Sequence, residues 1–82
     1  AAAQPELDIR GMAVDEALPV LDNFLDAAYM GNLPNARIIH GKGTGVLRAA
    51  VQDELRRCKY VKSFRLGVYG EGESGVTIVE FK

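Results

Sequence analysis

Apolar and polar positions alternate or recur along the 82-residue chain in a way that marks six elements. Glu6-Leu7-Asp8-Ile9-Arg10 alternates strictly, which predicts a short strand with Leu7 and Ile9 facing a core and Glu6, Asp8 and Arg10 on the other face. From Val14 the apolar residues fall at Val14, Ala17, Leu18, Leu21, Leu25, Ala28 and Tyr29, the steps of three and four that give a helix one apolar face. Asp15 and Glu16 sit in its first turn, where carboxylates favour the positive end of the helix dipole. Pro19 removes a backbone donor and is expected to bend that helix near its start. Gly31-Asn32 and Pro34 stop it.

Arg37-Ile38-Ile39-His40 reads as a second strand, followed by five loop residues and a second helix from Val46. Leu47, Val51, Leu55 and Cys58 form the buried stripe of that helix, and Arg48, Gln52, Arg56 and Lys59 a parallel polar stripe. Val61 to Val68 predicts a third strand, Gly67 to Gly75 a flexible acidic loop or hairpin connection, and Val76 to Phe81 a final strand. The order β-α-β-α-β-β predicts an α/β two-layer sandwich with a mixed four-stranded sheet and both helices on one face. Two strand–helix–strand steps predict parallel pairing, and the short last loop predicts an antiparallel final pair. The far face of the sheet would be comparatively open. Residues 1–5 read as a linker end or the remnant of a longer or tagged chain, and residues 6–82 as one domain.

Composition narrows the chemistry. The longest uncharged stretch, Ala27 to Ala36, is only ten residues and holds Gly31, Asn32, Pro34 and Asn35, so no membrane span is expected. No basic run precedes a long apolar one at the start, as a secretory signal requires. One cysteine and one histidine disfavour a disulfide and a structural zinc site and point to a cytoplasmic setting. The net charge of −1 conceals an asymmetry: residues 37–65 carry eight basic groups and two acids, the remainder two basic groups and nine acids. Such a distribution gives a positive face to a nearly neutral protein, or simply a solvated helix surface.

The strongest chemical signal is His40-Gly41-Lys42-Gly43-Thr44-Gly45, between a strand and a helix. Glycines admit positive φ and close approach of a ligand, and a helix N-terminus offers unpaired N–H groups to an anion. Lys42 adds a cation, Thr44 a hydroxyl and Arg48 a second cation in the first helical turn, so the group fits a phosphate. The spacing is not that of the mononucleotide P-loop, which needs Lys directly after its last Gly, nor of G-x-G-x-x-G. His40 is the single side chain that titrates near neutrality, a candidate general acid or base, or else a strand-end residue that bonds the loop. Glu6, Asp8 and Arg10 share a strand face; ligands in α/β sheets gather at the carboxyl ends of parallel strands, so Arg10 and His40 are expected to converge there. Asp8 and Glu6 can then orient His40, activate water or hold a divalent ion such as Mg²⁺ or Mn²⁺. Tyr29, Tyr60, Tyr69, Phe24, Phe64 and Phe81 are scattered and read as core or surface filler.

Leu7-Asp8-Ile9-Arg10-Gly11, His40 to Gly45 and Gly75 to Val79, in this order and spacing, resemble the Smr (small MutS-related) domain, in the form found at the carboxy terminus of the bacterial second MutS paralogue. The resemblance spans Glu6 to Lys82. It implies a two-layer sandwich similar to the carboxy-terminal domain of a bacterial translation initiation factor, and in many members a nicking endonuclease on DNA or RNA. The family's L-D-x-x-G block corresponds to Leu7, Asp8 and Gly11, and its H-G-x-G block to His40, Gly41 and Gly43. Many members carry His before the Gly of the first block; Arg10 stands there in this chain, which keeps a cation and removes a second histidine. The parent family also carries an ATPase and a DNA-clamp region and has been linked to suppression of recombination and to stalled ribosomes.

These readings converge on a nucleic-acid-binding nicking endonuclease domain of little sequence specificity. Gly43 to Gly45, Lys42 and Thr44 would hold a phosphate, His40 would shuttle a proton, and Arg10 would stabilise charge. Arg48, Arg56 and Lys59 would track the backbone. The rival reading is a non-catalytic module that docks on nucleic acid or the ribosome through the same face.

Overall fold

A computed structural model describes residues 5–82; the expected linker residues 1–4 lie outside the described residues. Four strands and two helices follow one another as β1 (Glu6–Asp8), α1 (Val14–Met30), β2 (Asn35–Ile39), α2 (Val46–Arg57), β3 (Val61–Leu66) and β4 (Val76–Phe81), with a single 3₁₀ turn at Glu73–Gly75 before β4. The sheet order is β1-β2-β4-β3. β1 pairs parallel with β2, and β4 pairs antiparallel with both β2 and β3.

One expectation needs correction. β2 and β3 do run in the same direction, but they do not pair, because β4 inserts between them. Burial explains the choice. Val76, Thr77 and Val79 of β4 are buried, whereas Lys62, Ser63, Arg65 and Leu66 of β3 are exposed. The most apolar strand takes the central position with two neighbours, and the charged strand takes an edge, where Lys discourages further pairing. A bulge between Val61 and Ser63 interrupts that edge. The predicted third strand also stops earlier, at Leu66, with Gly67 and Val68 passing into the loop.

The register sorts side chains by face. Leu7, Ile38, Thr77 and Leu66 lie in one cross-strand row and Ala36, Val79 and Phe64 in the next, both facing the helices. Ala17, Leu21, Leu25 and Ala28 of α1 and Val51 and Leu55 of α2 are buried with them in one core. Burying a Leu or Ile side chain in such a layer is worth roughly 1.5–3 kcal/mol. Pro19 does not end α1; the helix runs through it, with Pro19 exposed to solvent. At the end where β1 begins and β4 finishes, Tyr29 stacks on Tyr60 with ring centroids 4.4 Å apart and closes the core. No helix is long and apolar enough to cross a membrane among the described residues.

Candidate functional site

At the opposite end of the sheet, where β1 and β2 finish, the glycine-rich segment lines a groove of about 310 Å³. Gly41, Gly43 and Gly45 all have positive φ, at 82°, 32° and 86°, so an L side chain would be strained at each. Gly45 caps α2 in the left-handed conformation. Ala49 N–H makes the first helical bond back to Gly45, and Val46 N–H reaches the Thr44 hydroxyl at 3.4 Å. The amides of Gly43, Thr44, Gly45, Leu47 and Arg48 find no acceptor among the described residues. These are the orphan donors of a helix N-terminus, with its partial positive charge.

The second wall of the groove is Gly11 to Val14, the start of α1. Ala13 has no side-chain acceptor; its own N–H is taken by the Glu16 carboxylate at 3.3 Å. The amides of Val14 and Asp15 have no acceptor among the described residues. Two helix N-termini therefore bound one cavity. The sequence marked only the second, because nothing in Met12-Ala13-Val14 distinguishes a helix start that faces a ligand from one that faces water.

Lys42 and Arg48 line the same groove and form no ion pair among the described residues. Arg48 folds back over Gly45, where a Cβ would sit 2.8 Å from its Nη2. The rest of the proposed backbone track is more dispersed. Arg56 lies over the Phe64 ring and Lys59, beyond the end of α2, over Tyr60. Eight residues separate Arg48 from Arg56, about 12 Å along the helix axis.

His40 is buried, 5% exposed, and both ring nitrogens are engaged. Nδ1 lies 2.9 Å from the Gly41 carbonyl, which can only accept, so the proton sits on Nδ1. Nε2, 2.8 Å from Thr77 Oγ1, then accepts from the hydroxyl. Burial pushes the His40 pKa below its ordinary value, and the positive Arg48 nearby acts in the same direction, while the Gly41 contact opposes them. His40 is therefore held neutral. Thr77 escaped the sequence reading, although a polar residue in the core row of an apolar strand is a signal that it has a buried partner.

Asp8 and Arg10 are turned toward each other. The Asp8 carboxylate accepts from Arg10 Nη2 at 2.6 Å, from Nε at 3.0 and 3.2 Å, and from the Arg10 backbone N–H at 3.1 Å. These bonds draw the Asp8 pKa below the usual carboxylate range. The stem of Arg10 lies against Gly41, where a Cβ would be 3.4 Å from Arg10 Cγ. The structure thus brings Arg10 beside the residue that follows His40, with Asp8 orienting the guanidinium. Glu6 is exposed on the same strand and makes no side-chain hydrogen bond among the described residues. No group of three or more His, Cys, Asp or Glu side chains is placed to hold a metal ion among the described residues. The Asp8 carboxylate is engaged by Arg10, and Glu6 is exposed beside it on the strand.

The profile of the Smr domain matches residues 7–82. The chain is 59% identical over 78 residues to the endonuclease MutS2 of Lachnoclostridium phytofermentans, an alignment covering 95% of this chain and 10% of that protein. The corresponding figures for the endonuclease MutS2 of Caldanaerobacter subterraneus are 58% over 76 residues, 93% and 10%. The chain spans about a tenth of the length of the curated relatives it matches. Among solved structures, the Smr domain of Thermus thermophilus MutS2 aligns with a TM-score of 0.91 at 47% identity, over 94% of this chain and 96% of that one. YdaL, a stand-alone small MutS-related protein from Escherichia coli, aligns with a TM-score of 0.92 at 25% identity, over 99% of this chain and 66% of that one.

Proposed function

Since the chain belongs to the Smr domain family, we propose that it is a nucleic-acid-binding endonuclease domain that nicks DNA or RNA with little sequence preference. One observation carries this reading: two helix N-termini, loop and helix amides without an acceptor among the described residues, Lys42 and Arg48 line a single groove. A phosphate seated there would accept from amides fixed before it arrives, the arrangement that stabilises developing negative charge at little reorganisation cost. Arg10, already aligned by Asp8, adds a cation beside Gly41.

In the hydrolytic step the oxygen of a water attacks phosphorus, the bond to the leaving oxygen breaks, and a proton passes from the nucleophile to the leaving oxygen. Neutral His40 is the base suited to that transfer. For Nε2 to act, it must exchange the Thr77 hydroxyl for the nucleophile when nucleic acid docks. The second reading, a docking module without turnover, is favoured by that same geometry: His40 spends both nitrogens on the protein, and Asp8 and Arg10 satisfy each other. In either case the parent protein, a cytoplasmic MutS paralogue with ATPase and clamp regions, would bring the domain to recombination intermediates or to stalled ribosomes.

Supercoiled plasmid and structured RNA, each incubated with the domain in Mg²⁺, Mn²⁺ or chelator, separate the two readings. Nicking that disappears in His40→Ala and Asp8→Ala while binding persists supports the enzyme. Salt-sensitive binding with no nicking in any condition supports the docking module. The three metal arms also read directly whether a divalent ion enters with the nucleic-acid phosphate through Asp8 and Glu6.

A further inference from the structure

The loop between β3 and β4 carries a feature that the groove does not use. Tyr69 is 94% exposed and its neighbour Val68 58%. A lone ring on a loose loop would need no explanation, but this one is braced. Val68 O accepts from Glu71 N–H at 2.8 Å, closing a turn with Tyr69 and Gly70 at its centre, and Gly70 has the positive φ, 89°, that the third position of a type II turn requires. The Glu71 carboxylate accepts from Arg65 at 2.7 and 3.1 Å and from Val68 N–H at 3.0 Å. The Glu71 carbonyl accepts from Arg37 at 3.0 Å. The turn is thereby tied to β3 and β2, and its acid is neutralised by Arg65.

The foot of the same loop is joined to the phosphate groove. The Gly75 carbonyl accepts from both His40 N–H, at 3.1 Å, and Gly41 N–H, at 2.9 Å. A Cβ on Gly75 would lie 3.5 Å from Lys42 Cγ. An exposed ring on a braced turn, in a loop whose foot at Gly75 touches the cationic groove, is an arrangement by which proteins hold an unpaired base without reading its identity. We infer that Tyr69 stacks on a nucleobase of the strand whose phosphate lies in the groove, and so directs the domain to unpaired nucleic acid. This rests on the nucleic-acid reading above. The longest dimension of the protein is 32 Å, a length that about ten stacked nucleotides cover.

The test compares wild type with Tyr69→Ala, Tyr69→Phe and Tyr69→Leu. Its probes are a single strand of about twelve nucleotides carrying 2-aminopurine and the matching duplex, and anisotropy and 2-aminopurine emission are both recorded. Tyr69→Ala and Tyr69→Leu are expected to weaken single-strand binding about tenfold and abolish the change in emission, with Tyr69→Phe close to wild type and duplex binding within about twofold. Circular dichroism of the exposed-site variants should match wild type. Wild-type binding that Tyr69→Ala leaves intact on both probes overturns the stacking role while sparing the groove. If wild type binds neither probe, the groove reading fails and the stacking role falls with it.

Discussion

Two glycine-rich loops meet at one end of the sheet, and they differ in what surrounds their free amides. In residues 41–45, only Gly41 N–H is bonded among the described residues, and Gly41 to Gly45 line a groove with Arg48. In residues 67–75, Gly67, Glu71 and Gly75 donate to Val76, Val68 and Gly72, and one of the loop's two acids, Glu71, is bound to Arg65. Both loops rely on left-handed glycines, with Gly70 and Gly72 at 89° and 105° matching those of the first loop. Glycine content therefore does not mark an anion site. Nor do free amides alone, because those of Tyr69, Gly70, Gly72, Glu73 and Ser74 also find no acceptor among the described residues; the first loop adds a helix N-terminus and two cations, Lys42 and Arg48, that form no ion pair among the described residues.

The largest expected effect tests this contrast on stability. A Cβ at Gly72 would lie 2.3 Å from Val76 Cγ2 at a φ of 105°. Gly72→Ala should cost about 2–3 kcal/mol and lower the Tm by some 10 °C or more, read by thermal denaturation, with nucleic-acid binding preserved while the protein is folded. At Gly43, with φ 32°, a Cβ meets nothing within 4 Å. Gly43→Ala should cost only about 1 kcal/mol of stability and yet weaken binding several-fold, because the methyl group stands where a phosphate would approach. Equal losses in the two variants, on both readouts, would erase the distinction between the loops.

Next in size is the charge of the first loop. Replacing Lys42 and Arg48 together by Ala should weaken binding at least tenfold near 0.1 M salt and make the salt dependence shallower by about two phosphates, measured as the slope of log affinity against log salt. The Glu71→Gln variant should show no such loss.

A smaller effect lies in pH. Because burial lowers the His40 pKa from 6.5 in the folded protein, the unfolded chain binds the proton more readily. The stabilisation is complete above about 6.5 and is lost as pH falls through the window beneath it, by at most about 1.4 kcal/mol per pH unit. His40→Asn should flatten that slope in urea titrations. Asp22 supplies the smallest effect and the necessary control. Partial burial and the facing Glu54 carboxylate raise its pKa to about 6. Its sign is opposite: the folded state holds the extra proton, so stability falls as pH rises between about 4 and 6. Asp22→Asn should raise stability at pH 7 by a few tenths of a kcal/mol, reduced by solvent screening, with the gain vanishing near pH 4.

Much of this was legible in the order of residues. Both helices begin where the apolar period begins, at Val14 and Val46, and the glycine segment lies between strand and helix as its composition requires. The sheet order was not legible, because strand sequence gives direction and burial but not which neighbour wins; β4 became central through the apolar faces of Val76, Thr77 and Val79. The site was legible as a set of residues and not as a set of partners. Asp8 lies next but one to Arg10, a relation visible in the chain, and the structure pairs them. His40 meets Thr77, 37 residues away, and Tyr69, one aromatic among several in the sequence, is singled out by exposure on a braced turn.

The chain by itself determined the periodicities, the glycine-rich segment between a strand and a helix and the concentration of cations between residues 37 and 65, because these depend on each residue and its near neighbours. The meeting of two helix starts at one groove, the burial of His40 and the joining of the two glycine loops at the Gly75 carbonyl were decided by tertiary structure. Each depends on the sheet order, which is set by competition among strands for the apolar centre and has no counterpart in local sequence.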